Sequence, residues 1–152
     1  MCLKFKVKGM EKFWDFFSLN RLLFKASQGE TRFSCSKLGH GKEFFSRTPK
    51  QVKALDGIAI TQVSCGDDFT CCVSDSGDVF TFGTDYSGCL GLGDNNKPEG
   101  VLDSDNSVYL PTMLPFFREN SLRVCRISCG DSHVIALTES NQVFTWGCGE
   151  VS

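Results

Sequence analysis

Two histidines, His40 and His133, and nine cysteines, Cys2, Cys35, Cys65, Cys71, Cys72, Cys89, Cys125, Cys129 and Cys148, are the side chains of this 152-residue sequence best suited to nucleophilic or metal chemistry. A Ser or Cys nucleophile needs a base within hydrogen-bonding reach, and two histidines allow few such constellations. Zinc is held by two pairs of Cys or His at short spacing; Cys125 and Cys129 stand four apart with no second pair, and neighbours such as Cys71 and Cys72 point to opposite faces of a strand. Asp103-Ser104-Asp105-Asn106-Ser107 opens like a calcium loop. Val108, however, occupies the sharp-turn glycine position and Leu114 that of the bidentate Glu. Phosphoryl transfer needs a metal-binding Asp-Phe-Gly and a glycine loop over the phosphates; Asp68-Phe69-Thr70 lacks the glycine, and Gly88-Cys89-Leu90-Gly91-Leu92-Gly93 lacks the dinucleotide spacing. The expectation is a chain with no catalytic, metal or cofactor site of its own, its cysteines packing as small apolar side chains.

Composition points the same way. With 41% hydrophobic residues, Gly 15 and Pro 4, the chain has material for one modest domain with many tight turns. The net charge of -2 hides an asymmetry: residues 1 to 53 hold 12 Lys and Arg against 4 Asp and Glu, and the remainder holds 4 against 14. The basic charges are spread singly between apolar residues, which suits a solvated surface better than a nucleic-acid footprint. No run approaches the roughly 18 apolar residues of a membrane helix. An odd cysteine count embedded in apolar strands reads as reduced and intracellular, in the cytoplasm with the nucleus as an alternative.

The elements that would position these side chains form a repeat. Val63-Ser64-Cys65-Gly66-Asp67-Asp68-Phe69 returns as Ile127-Ser128-Cys129-Gly130-Asp131-Ser132-His133, and Val79-Phe80-Thr81-Phe82-Gly83 returns as Val143-Phe144-Thr145-Trp146-Gly147. Leu38-Gly39-His40-Gly41 matches Leu90-Gly91-Leu92-Gly93, and Pro49 matches Pro111, at shorter offsets that locate an insertion in the turn-rich loop 94–109. Within each copy, residues 69–74 or 133–138 and 78–82 or 142–146 read as a β-hairpin joined by Asp75-Ser76-Gly77 or Glu139-Ser140-Asn141. Gly77 and Asn141 share the position of a bulged three-residue turn that needs the left-handed conformation, so Gly77 should tolerate Asn better than Val. Val134 and Ala136 alternate with Ile135 and Leu137, so both faces of the strands are apolar and expected to be buried. Hairpins of this kind fit propeller blades stacked around an axis, with a β-sandwich as the alternative from periodicity alone.

At these residues the sequence resembles the regulator-of-chromosome-condensation repeat family, through the Val-x-Cys-Gly-x-x-His entry, the Val-Phe-Thr-Trp-Gly strand and the Gly-x-Leu-Gly-x-Gly exit. The resemblance covers about residues 37 to 150. It is nearest to the repeat domain of a NIMA-related serine/threonine kinase, in Cys65 to Thr70, Phe82 to Cys89 and Trp146 to Glu150. It implies an all-β fold of about two blades of a seven-bladed propeller, with 37–152 an incomplete repeat region. Residues 1–36 resemble neither a preceding blade nor a kinase. Phe13, Trp14, Phe16, Phe17, Leu19, Leu22, Leu23 and Phe24 read there as a short helix, apolar almost all round, that seeks a partner or covers the core, the preferred alternative being a divergent, non-native or disordered leader that collapses on blade edges.

The resemblance implies structural roles for Cys65, Gly66, Gly77, Phe82, Gly83, Gly91, Cys129, Gly130, His133, Asn141, Trp146 and Gly147, with His133 at the family's hydrogen-bonding histidine. Phe69 takes that place in the other copy, which no essential base could. A non-catalytic module follows, partnered by proteins: a Ran-like small GTPase, or a kinase domain that it restrains. The rival is guanine-nucleotide exchange on a Ran-like GTPase. Chromatin binding is disfavoured by the acidic repeats, because attraction to phosphate dominates such affinity.

Overall fold

The computed structural model describes residues 35–41, 43, 46–93 and 106–149. The expected leader helix, and most of the 94–109 insertion, lie outside them. Two antiparallel sheets result. The first contains β1 (Ile60–Cys65), β2 (Phe69–Ser74), β3 (Val79–Thr84) and β4 (Ser107–Met113) in that order, and the second β5 (Val124–Cys129), β6 (His133–Thr138) and β7 (Val143–Gly147). One short helix, α1 (Pro115–Glu119), stands between the sheets in sequence.

The two hairpins are built alike. In the first, Ser74 N donates to Asp78 O and Gly77 N to Ser74 O; in the second, Thr138 N donates to Gln142 O and Asn141 N to Thr138 O. The hydroxyl of Ser74 or Thr138 accepts from the amide of Asp78 or Gln142. Gly77 (φ 83°) and Asn141 (φ 60°) take the left-handed position. Phe69 opposes Gly83 and His133 opposes Gly147 across the ladder. Both glycines have positive φ, and a Cβ on either would run into the backbone of the preceding strand.

Ser107, Val108 and Tyr109 belong to β4, not to the expected insertion loop: Val108 pairs with Gly83 and is completely buried. In sequence, the Pro111 that follows Val108-Tyr109-Leu110 masks this strand. Proline is tolerated here because β4 is the outer strand of its sheet.

The sheets pack face to face. Phe69, Cys71, Val73 and Val79 of the first meet Ile127, Val134 and Ala136 of the second in one core, with Cys129, Phe144 and Trp146 around its margin. Burying each large side chain contributes about 1.5 to 3 kcal/mol, which is why this face dominates the stability. Helix α1 plugs one end. Its Phe117 is buried and lies edge-on to Phe144 at 5.5 Å, with Trp146 at 5.9 Å.

Side chains of β1 close the free edge of β5. Gln62 brackets Ile127, Nε2 donating to the carbonyl at 2.7 Å and Oε1 accepting from the amide at 3.0 Å, and Ser64 Oγ accepts from Cys129 N at 2.9 Å. Capping these amides removes a template for strand addition.

The expected burial on both faces holds for β2, whose six residues are all buried, but not for β6. Ile135 is 45% exposed and Val143 60%. The sequence pattern is the same in both hairpins; among the described residues no further layer covers the outer face of the second.

Gly77 carries an additional constraint that its φ does not reveal. A Cβ there would stand 2.7 Å from Cβ and 2.8 Å from Cα of Arg123, at the entry to β5. Asn at this position therefore clashes despite its tolerance of the left-handed region. Gly77→Asn should cost about 1 to 3 kcal/mol, and Gly77→Val at least as much. Asn141→Gly should change stability by less than about 1 kcal/mol. Urea denaturation of the three variants checks this ordering.

Candidate interaction surface

The repeat-motif residues gather along the hairpins and their entries. Cys65 ends β1 and Gly66 follows it, as Cys129 ends β5 and Gly130 follows it. The ring of Phe69 lies over Gly66, and that of His133 over Gly130, leaving no room for a Cβ. His133 is exposed and its ring contributes this stacking; its carbonyl accepts from Gly130 N at 2.8 Å, and among the described side-chain hydrogen bonds the ring takes no part. An aromatic ring of either kind satisfies the position, which accounts for Phe69 in the other copy.

Phe82 and Trp146 fill equivalent places. A Cβ on Gly91 would stand 2.8 Å from Trp146 Nε1 and 3.0 Å from Leu114, and one on Gly39 would stand 2.9 Å from Phe82 and 3.2 Å from Val52. Gly39 and Val52 thus approach Phe82 as Gly91 and Leu114 approach Trp146. Trp146 Nε1 donates to Cys89 O at 3.0 Å, a bond Phe82 cannot copy.

Between the 37–56 segment and the outer face of the first sheet runs a groove of about 640 Å³, floored by Val63, Cys65, Thr70, Cys72 and Phe82. Basic side chains reach its walls, but two are engaged locally. Lys37 Nζ donates to Asp67 O at 2.9 Å and pairs with Asp68 at 3.2 Å, and Lys50 pairs with Glu43 at 2.6 Å. The groove is an apolar trough with a neutralised rim. The roles of Gln62, Ser64 and Phe117 went unseen in sequence. Gln62 has Arg126 as its repeat counterpart, so periodicity gave no signal; the Pro115-Phe116-Phe117 run could have marked a short apolar helix.

The cysteines sit in packing positions. Cys65, Cys71, Cys72, Cys89, Cys125, Cys129 and Cys148 are free thiols. Burial, followed by the nearby Cys65 and Cys129, pushes the Cys72 thiol up to about 12, and burial, followed by Asp85, pushes Cys89 up to about 12. Burial above all raises Cys71, which lies against Cys129 across the sheet interface. A thiol held above its ordinary range stays protonated and unreactive at neutral pH. Among the described residues no group of three or more Cys, His, Asp or Glu could hold a metal ion.

Two consecutive, equivalent hairpin sheets stacked face to face define a blade-repeat protein of the partial β-propeller class. The regulator of chromosome condensation (RCC1) repeat model matches residues 36–73 and 76–137, and a second model of the same repeat matches 60–89 and 124–151. The chain belongs to the RCC1 repeat family. It is 46% identical over 123 residues to the serine/threonine-protein kinase Nek9 of Mus musculus, covering 81% of this chain and 11% of that protein. Nek9 of Xenopus laevis is 45% identical over 75% of the chain and 11% of its own length. The ultraviolet-B receptor UVR8 of Arabidopsis thaliana is 38% identical over 73% of the chain and 23% of its own length. The chain thus spans less than a quarter of each. In fold it matches yeast RCC1 (Prp20) in complex with Kap60, with a TM-score of 0.55 and 24% identity over 62% of this chain and 21% of that one.

Trp146 and the cysteines supply two tests. Trp146→Ala should cost about 3 kcal/mol, the low end for a large aromatic because the ring is half-buried, and Trp146→Phe about 1 kcal/mol for the lost hydrogen bond. In a Trp14→Phe background, the remaining indole emission should be blue-shifted from that of a solvated tryptophan. Iodoacetamide at about pH 8, below the raised thiol range, should modify exposed Cys125 but spare Cys71, Cys72 and Cys89 until urea is added. Peptide mass mapping reads this directly.

Proposed function

We propose that the chain is a non-catalytic regulatory module that binds proteins, and that it serves as part of a NIMA-related kinase type of propeller, contacting a small GTPase or restraining a kinase domain. The observation that carries this reading is the 46% identity to Nek9 over 81% of the chain, combined with an apolar groove and exposed blade faces where a partner can sit. Such surfaces suit protein contact, in which a few buried apolar side chains carry most of the energy. The buried, protonated thiols suit a reducing compartment, and we assign the chain to the cytoplasm, with the nucleus as an alternative.

Guanine-nucleotide exchange on a Ran-like GTPase is the second reading. It draws on the structural likeness to Prp20p of Saccharomyces cerevisiae, a protein studied for binding to Gsp1p and histones; the TM-score is 0.54 at 24% identity. Exchange requires a surface arranged to distort the nucleotide site, beyond simple contact.

The readings separate in one set of measurements. The chain should bind a Ran-like GTPase or an isolated NIMA-related kinase domain in biolayer interferometry. It should lower the activity of the kinase domain in trans, and leave the release of labelled nucleotide from the GTPase unchanged. Accelerated release, abolished by Asp85→Ala or Asp131→Ala, would overturn this function in favour of exchange. Binding to neither protein would overturn the assigned partners.

A further inference from the structure

The seam between the two sheets brings together two thiols that the repeat does not pair. Cys129 shares its repeat position with Cys65, but Cys71 stands where the other copy has Ile135, so no periodic rule supplies Cys129 with a second cysteine. Three contacts bring them together. Cys71 lies opposite Ser64 in the β1–β2 ladder, Ser64 Oγ accepts from Cys129 N at 2.9 Å, and Cys71 and Cys129 both pack on the core between the sheets. There the Cys71 thiol donates a hydrogen bond to the Cys129 sulfur. The neighbouring thiols are placed differently. Cys65 and Cys72 line the groove on the far side of the first sheet, and Cys89 Sγ donates to the Thr84 carbonyl at 3.3 Å. The two environments also differ. Cys71 is wholly buried, and burial holds its thiol well above the ordinary range, so it keeps its proton. Cys129 is half-buried at the margin of the core. The hydrogen bond from Cys71, opposed by burial and assisted by the Ser64 hydroxyl, lowers its thiol below the ordinary value. One sulfur is thus ionised more readily and reached by small solutes, and the other rests against it as a protonated donor.

We propose that Cys129 and Cys71 are a peroxide-responsive dithiol whose oxidation stitches β2 to β5 across the seam. The site is independent of the proposed kinase or GTPase partners. The oxidant is hydrogen peroxide. The Cys129 thiolate attacks one peroxide oxygen; the S–O bond forms, the O–O bond breaks, and the departing hydroxide takes up a proton to become water. The Cys71 sulfur then displaces the hydroxyl of the sulfenic acid. The S–S bond forms, the S–O bond breaks, and the Cys71 proton leaves with the hydroxyl as a second water. Two thiols lose two electrons and one peroxide gains them. Because the sulfurs already touch, the second step needs no diffusional encounter and outruns further oxidation of Cys129. The bond closes the chain between residues 71 and 129, which restrains the two sheets against parting. Exchange with a reduced dithiol restores both thiols.

The test treats the whole reduced chain with graded hydrogen peroxide, blocks the remaining thiols with N-ethylmaleimide and maps the peptides without reduction, fragment spectra distinguishing Cys71 from Cys72. A Cys71–Cys129 link should form at a peroxide dose several-fold below that which oxidises the more exposed Cys125. Dithiothreitol should remove it, and the linked chain should unfold at higher urea than the reduced one. In Cys71→Ala, dimedone should capture Cys129 as its sulfenic acid. The link should be lost in Cys129→Ser and kept in Cys72→Ala, with far-UV circular dichroism confirming that each variant folds. Should Cys71→Ala fail to fold, Cys71→Ser takes its place, and the mapping of the wild-type chain decides by itself. A link from Cys129 to Cys65, Cys72 or Cys89 would overturn the pairing. So would an equal yield of the Cys71–Cys129 link in urea, since the fold would then contribute nothing. Passage of Cys129 to the sulfinic acid with no link would overturn the proposal outright.

Discussion

A hairpin sheet that is apolar on both faces loses stability wherever one face meets water, and the first sheet of the described residues is arranged around that cost. β2 avoids it completely, with all six residues buried between the second sheet on one side and the 37–56 segment with its groove on the other. The helix α1, the Phe117 contacts and the edge caps from Gln62 and Ser64 all serve the same interface. Without its neighbour, the first sheet would expose Phe69, Val73 and Val79, a loss of several kcal/mol that hydrogen bonding within the sheet could not offset.

Close approach demands small residues at fixed points, and these recur with the blade. Gly83 and Gly147 let the hairpin strands meet beneath the entry turns, while Gly39 and Gly91 let the exit segments come down upon Phe82 and Trp146. The glycines thus set where each exit segment lies. The exit segment in turn walls the trough in which an adjoining sheet sits, so turn chemistry and surface shape are one property of the repeat.

Much of this was legible in sequence because it is periodic. The hairpin strands fall within a residue or two of their expected limits, and the left-handed turn residues Gly77 and Asn141 were marked by two copies obeying one backbone rule. What stayed hidden is aperiodic. Gln62 and Arg126 share a repeat position, yet only Gln62 brackets a backbone, and nothing in one sequence distinguishes an amide that caps an edge from one that is merely solvated. The contact of Gly77 with Arg123 joins residues 46 apart and depends on how one sheet meets the next. Strand β4 was obscured by a proline that its edge position makes harmless, and the exposure of Ile135 depends on what lies beside the second sheet, which a strand's own residues do not encode.

The Gln62 bracket also gives the interface a chemical lifetime. A primary amide can both donate to and accept from one peptide unit in this way, which an ionised carboxylate cannot. Slow hydrolysis to the acid would keep the acceptor for Ile127 N but turn the donor at the carbonyl, now 2.7 Å away, into a second oxygen. Two oxygens would then face each other at the seam, one carrying negative charge in a partly buried setting where water cannot screen it well. Ageing of this single amide would weaken the seam between the sheets while leaving each hairpin and the apolar core intact.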